Sequence, residues 1–105
     1  MRYKLRKDER HGQIMAELQD CGFSVADLSR VGSGFPDLAI ARNNVCALVE
    51  IKTPRGRKTA LERRGPAQIE FARVWKGPII VAYNASQIVY DFNLLIKRRE
   101  AYAVT

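Results

Sequence analysis

The chain has 105 residues, 47% of them hydrophobic and 28% charged, and a formal net charge of +7. That length fits one compact domain, residues 1–105, and the composition excludes the disordered and membrane classes. The positive charge favours polyanionic partners, nucleic acid first, because each neutralised phosphate releases a condensed counterion; small basic proteins also carry such charge for solubility alone.

Residues 1–10 are highly charged and lead into no apolar run, so neither an export signal nor a membrane span is expected, and the expected location is cytoplasmic. Ile14, Met15, Leu18 and Cys21 then recur at helical spacing, and Gly22 can supply the left-handed residue that ends a helix, which predicts a first helix over 8–21. Short strands are predicted at 23–28, 38–41 and 45–51, the last two joined in a hairpin at Asn43-Asn44. The third strand is apolar on both alternating faces, so helical cover is expected above and below it. Gly65-Pro66 opens a second helix and Gly77-Pro78 closes it, with Pro66 in the first turn where its missing N–H is harmless. A fourth strand is predicted at 79–83. Asn84-Ala85-Ser86 offers capping side chains, and Ile88, Val89, Phe92, Leu95 and Ile96 follow at helical spacing, which favours a third helix. The order α-β-β-β-α-β(-α) predicts an α/β sandwich with a mixed central sheet. Cys21 and Cys46 have no CxxC pair or neighbouring His and are expected to be reduced core residues.

Chemistry concentrates on the predicted hairpin. Glu50 and Lys52 lie two apart on a strand, so their side chains share a face, and Asp37, just after Pro36, falls opposite the same strand end. Converging carboxylates suit Mg²⁺, which binds through one or two of them together with water and substrate phosphate oxygens. A nearby ammonium can orient the attacking water or offset the charge that develops on the phosphate, and Lys52 is placed for that role. Taken singly, Glu50 and Lys52 read better as a surface ion pair, and Asp37 as a turn residue bonded to its own backbone; it is their combination, in order and on the predicted hairpin, that favours a metal site.

Together these residues resemble the PD-(D/E)XK nucleases, with Pro36-Asp37 as the first element and Glu50-Ile51-Lys52 as the second. The likeness is closest to the VRR-NUC family: a first helix, then Gly32-Ser33-Gly34-Phe35-Pro36-Asp37-Leu38, then Val49-Glu50-Ile51-Lys52, then a helix opening Gly65-Pro66-Ala67-Gln68. The resemblance implies the restriction-endonuclease-like PD-(D/E)XK fold and an endonuclease, a hydrolase of phosphodiester bonds that uses Mg²⁺ or Mn²⁺. It implies metal binding by Asp37, Glu50 and the backbone carbonyl of Ile51, with Lys52 and Gln68 also at the catalytic centre. Gln68 has independent support, because it shares a helical face with Phe71, Ala72 and Trp75. The family carries a Glu on its first helix. Alignment by Leu18 and Gly22 puts Gln13 at that position, with Glu17 the alternative and Glu9 a third candidate on the same face. Branched or flapped DNA, such as a Holliday junction, is the implied partner; a homodimer is compatible with this, and no membrane partner is expected. The alternative reading is a catalytically inactive nucleic-acid-binding module on the same fold.

Between the third strand and the second helix runs Thr53-Pro54-Arg55-Gly56-Arg57-Lys58, followed by Glu62-Arg63-Arg64. Arg55, Arg57, Lys58, Arg63 and Arg64 are the predicted phosphate-backbone contacts. Gly32-Ser33-Gly34 lacks the Lys-Ser/Thr of a phosphate loop and reads as a flexible lead-in to the second strand. His11, the single histidine, reads as solvated, and Trp75 with Phe71 reads as core in preference to a base-stacking platform.

Overall fold

The computed structural model describes the backbone of residues 2–52 and 65–104 and the side chains of residues 9–52 and 65–99. Seven elements follow one another: α1 (Arg2–Asp20), β1 (Ser24–Asp27), β2 (Leu38–Arg42), β3 (Val45–Ile51), α2 (Pro66–Val74), β4 (Ile79–Ala82) and α3 (Ala85–Val104). The four strands form one mixed sheet in the order β1-β2-β3-β4, antiparallel across the first three and parallel between β3 and β4. The chain is thus a small α/β structure in the predicted element order. Among the described residues, no helix is long and apolar enough to cross a membrane.

Local chemistry explains the boundaries. Gly22 takes φ +91° at the end of α1, a left-handed conformation open to glycine, and the Phe23 N–H reaches back to the Leu18 carbonyl at 3.1 Å. Asn43 and Asn44 both take positive φ, 56° and 62°, which gives the tight turn whose twist matches the β2–β3 hairpin. At the start of α3, the Asn84 side-chain oxygen accepts from the Gln87 N–H at 2.9 Å, and the Gln87 side chain accepts from the Tyr83 N–H at 2.6 Å. Helix α1 begins six residues before the predicted start at residue 8, and α2 ends at Val74, short of Gly77-Pro78.

The core lies between one face of the sheet and helices α1 and α3. Ile14 and Leu18 from α1, Leu38 and Ile40 from β2, Val49 and Ile51 from β3, and Ile88 and Phe92 from α3 are all buried in one cluster. Phe23 meets Phe92 edge to face at 4.8 Å. Each fully buried Leu, Ile or Phe here contributes about 1.5–3 kcal/mol.

The opposite face is covered less than the sequence suggests. On β3, Leu48 is buried but Cys46 is exposed, and α2, which lies toward the Glu50 end, has no buried residue. Among the described residues, α1 and α3 cover one side and α2 only edges the other, so the expected helical cover on both faces is seen on one. The expectation of core cysteines is also overturned. Cys21 and Cys46 are free thiols, as expected, but both are exposed, one beyond the last turn of α1 and one on the open sheet face.

Candidate functional site

The C-terminal end of β3 brings the predicted residues together. Pro36 is buried and has no N–H to give, so hydrogen bonding to β3 begins at Asp37, whose N–H donates to the Val49 carbonyl at 2.9 Å. The Asp37 carbonyl accepts from the Leu28 N–H at 2.8 Å, which ties this residue to the end of β1 as well. Leu38 pairs with Val49 as the first pair of the antiparallel register, and Asp37 sits just outside the ladder beside the C-terminal end of β3. The Asp37 carboxylate then folds over the strand end, where Oδ2 accepts from the Ile51 N–H at 2.8 Å. Backbone and side chain of Asp37 are thus both fixed before any ligand arrives.

Glu50 emerges on the sheet face opposite Val49 and Ile51 and is half-buried. Gln68 Nε2 donates to Glu50 Oε2 at 3.3 Å, while Gln68 Oε1 accepts from the Gly65 N–H at 3.4 Å. One amide thereby closes the first turn of α2 and orients a carboxylate on the neighbouring strand, and the two contacts together assign its nitrogen to Glu50. Lys52 follows at the strand end with 6% of its surface exposed, the one buried charged side chain among the described residues. Its N–H donates to the Ala82 carbonyl at 2.8 Å, anchoring the end of β3 to β4.

Two contributions were not visible in the sequence. The first is Arg10 on α1. Its Nη2 donates to the carbonyls of Tyr83 at 2.6 Å and Lys52 at 3.2 Å, so one guanidinium joins the ends of β3 and β4 to the first helix. Gln13, Glu17 and Glu9 are exposed, and among the described residues no hydrogen bond links them to the carboxylates. The second is Gly34. The turn through Gly32, Ser33 and Gly34 has positive φ at all three residues, 76°, 56° and 79°, so the lead-in to β2 is a defined conformation. A Cβ at Gly34 would overlap the Ala67 carbonyl and come 2.8 Å from the Gln68 nitrogen. The absence of that atom is what lets α2 approach and present Gln68 to Glu50. The Gly-x-Gly spacing is the sequence signal for this close approach.

The donor set is hard oxygen: two carboxylates at one end of the hairpin beside the Ile51 peptide. Among the described residues, no third His, Cys, Asp or Glu joins them. Mg²⁺ needs no more, because it keeps several waters and takes one or two carboxylates with substrate phosphate, so these residues fit such an ion. Arg55, Arg57, Lys58, Arg63 and Arg64 lie outside the described residues. The chain matches no protein-family model, no curated protein and no solved structure.

Proposed function

We propose that this chain is a metal-dependent endonuclease with the PD-(D/E)XK arrangement, most similar to the VRR-NUC type, acting on branched or flapped DNA. The observation that carries the reading is that Asp37 and Glu50 are both held at the C-terminal end of β3, each carboxylate by a donor, with Lys52 buried at the same strand end. A structural ion pair at a strand end would account for Glu50 and Lys52. It would not account for a carboxylate fixed by the Ile51 N–H beside one fixed by an amide from α2.

Asp37, Glu50 and the Ile51 carbonyl would hold Mg²⁺ or Mn²⁺, which when bound polarises the scissile phosphate and acidifies a bound water. The Ile51 N–H keeps the Asp37 carboxylate oriented. Gln68 positions Glu50, its amide preventing the side chain from swinging away from Asp37. The Lys52 ammonium offsets the negative charge that grows on the phosphate as the new bond to oxygen forms. The net charge of +7 favours association with a polyanion.

A second reading, a nucleic-acid-binding module without catalysis, is favoured by helix α1. There the residue that meets the end of β3 is Arg10, while Gln13 and the nearby glutamates are exposed. A cleavage assay on junction, flap, duplex and single-strand DNA separates the two. Cleavage is expected with Mg²⁺ or Mn²⁺ and none in EDTA; turnover in chelator would exclude the metal mechanism. Lys52→Ala is expected to cut about a hundredfold more slowly with little change in affinity, the signature of an interaction made in the transition state. A defect in affinity alone would remove Lys52 from that role.

The cationic run at 53–64 gives a further expectation from sequence. Replacing Arg55, Arg57 and Lys58 together by Ala should weaken binding to every duplex sequence alike and flatten the slope of log affinity against log salt by about 2 to 3. An unchanged slope, measured by titration across salt, would mean these side chains do not neutralise phosphates.

A further inference from the structure

Among the described residues, helix α2 and its C-cap carry an aromatic stripe that is only partly buried. The helix has no buried residue, so the expectation that Phe71 and Trp75 are core is overturned. Trp75 is 43% exposed and Phe35, from the loop before β2, is 37% exposed. The three rings form a row: Phe35 and Phe71 have centroids 4.7 Å apart, and Phe71 and Trp75 stack at 5.3 Å with an interplanar angle of 17°. Gly77 helps to fix the end of the row, because a Cβ there would come 2.9 Å from the indole nitrogen. Rings locked against one another lose little rotamer freedom when a ligand binds.

The row begins beside the carboxylates. Gln68, which binds Glu50, stands three residues before Phe71 on α2 and seven before its C-cap Trp75, so the stripe runs about 10 Å away from the site along the helix axis. That is the length of roughly three stacked nucleotides. Its charge suits a polyanion: Glu70, the single acid of α2, is taken up by Arg73 at 2.6 Å, and exposed Lys76 follows Trp75. Planar faces, flanking cation and continuity with the site all fit nucleic acid bases that are not paired.

We propose that Phe35, Phe71 and Trp75 form a stacking platform for unpaired bases next to the phosphate held at Asp37 and Glu50. The proposal rests on the nuclease reading and narrows it to substrates with a single-stranded segment at the cut. Stacking tolerates any base, because every base has a π face, so the platform selects strand state and not sequence.

Trp75 is the single tryptophan of the chain, so its fluorescence reports on the platform directly. The test titrates the whole protein, in EDTA, with an oligothymidylate of about 12 nucleotides and with a blunt duplex of the same length. The single strand is expected to quench the indole, and the duplex is not. By anisotropy of labelled strand, Phe71→Leu and Trp75→Leu should each weaken single-strand binding about tenfold, leave duplex binding within about twofold, and melt close to wild type. Trp75→Phe should restore most of the affinity. Absence of quenching, or equal losses on strand and duplex, would overturn the platform. A fall in the sedimentation mass of Trp75→Leu would overturn it in favour of a second copy covering the stripe. Cleavage in Mg²⁺ is followed in parallel. Quenching without cleavage leaves the platform standing and removes the nuclease reading, whereas duplex cleavage without quenching does the reverse.

Discussion

Asp37→Asn and Glu50→Gln are each expected to reduce cleavage by about a thousandfold or more while the protein stays folded. The isosteric amides make this a clean measurement. In Asp37→Asn the amide oxygen can still accept from the Ile51 N–H, which the wild-type Oδ2 does at 2.8 Å, and in Glu50→Gln it can still accept from Gln68 Nε2. What each substitution removes is one negative charge from an oxygen donor set of two carboxylates, and with it several kcal/mol of the electrostatic stabilisation of the developing transition state. The same loss of charge removes repulsion toward the phosphate backbone, so without metal both variants should bind DNA at least as tightly as wild type. Wild-type cleavage rates in either variant would sink the site assignment. Reduced cleavage with reduced thermal stability would show instead that the carboxylates serve the hairpin.

Much of this geometry was legible in the sequence, for reasons that are local. A continuous apolar run from Val45 to Val49 marks β3, two asparagines tolerate the positive φ that a tight hairpin needs, and together they fix the register that brings Asp37 to the Glu50 end of the hairpin. Gly22 and Asn84 were readable as helix punctuation because capping depends on residues within one turn. What could not be read depends on distant partners. Arg10 looks like any charged residue on a helix until the ends of β3 and β4 arrive beneath it. Phe71 and Trp75 show the periodicity of a helix face, and that periodicity does not say whether the sheet lies close enough to bury it. The cysteines show the same limit: β3 is apolar on both faces, yet Cys46 on one of them is exposed.

Gly34 allows the link between loop, helix and carboxylate to be measured, because Gly32 is a built-in control. The two glycines have nearly the same backbone, φ +76° at Gly32 and +79° at Gly34, so an alanine at either position carries the same conformational strain, about 1–3 kcal/mol. Only their surroundings differ. A Cβ at Gly32 meets nothing within 4 Å, whereas one at Gly34 overlaps the Ala67 carbonyl in the first turn of α2. Because α2 buries no side chain, the cheapest relief is for the helix to move outward and carry Gln68 away from Glu50, not for the core to yield. Gly34→Ala should therefore lose more thermal stability than Gly32→Ala, and cleavage measured well below both melting temperatures should fall about a hundredfold in Gly34→Ala alone, the scale expected when a positioning contact shifts by about 1 Å. The aromatic row should respond with it, since Phe35 follows Gly34 and Phe71 lies on the displaced helix, so indole emission should change in Gly34→Ala and not in Gly32→Ala. Equal cleavage and equal emission in the two variants would mean that the approach of α2 does not set the orientation of Glu50.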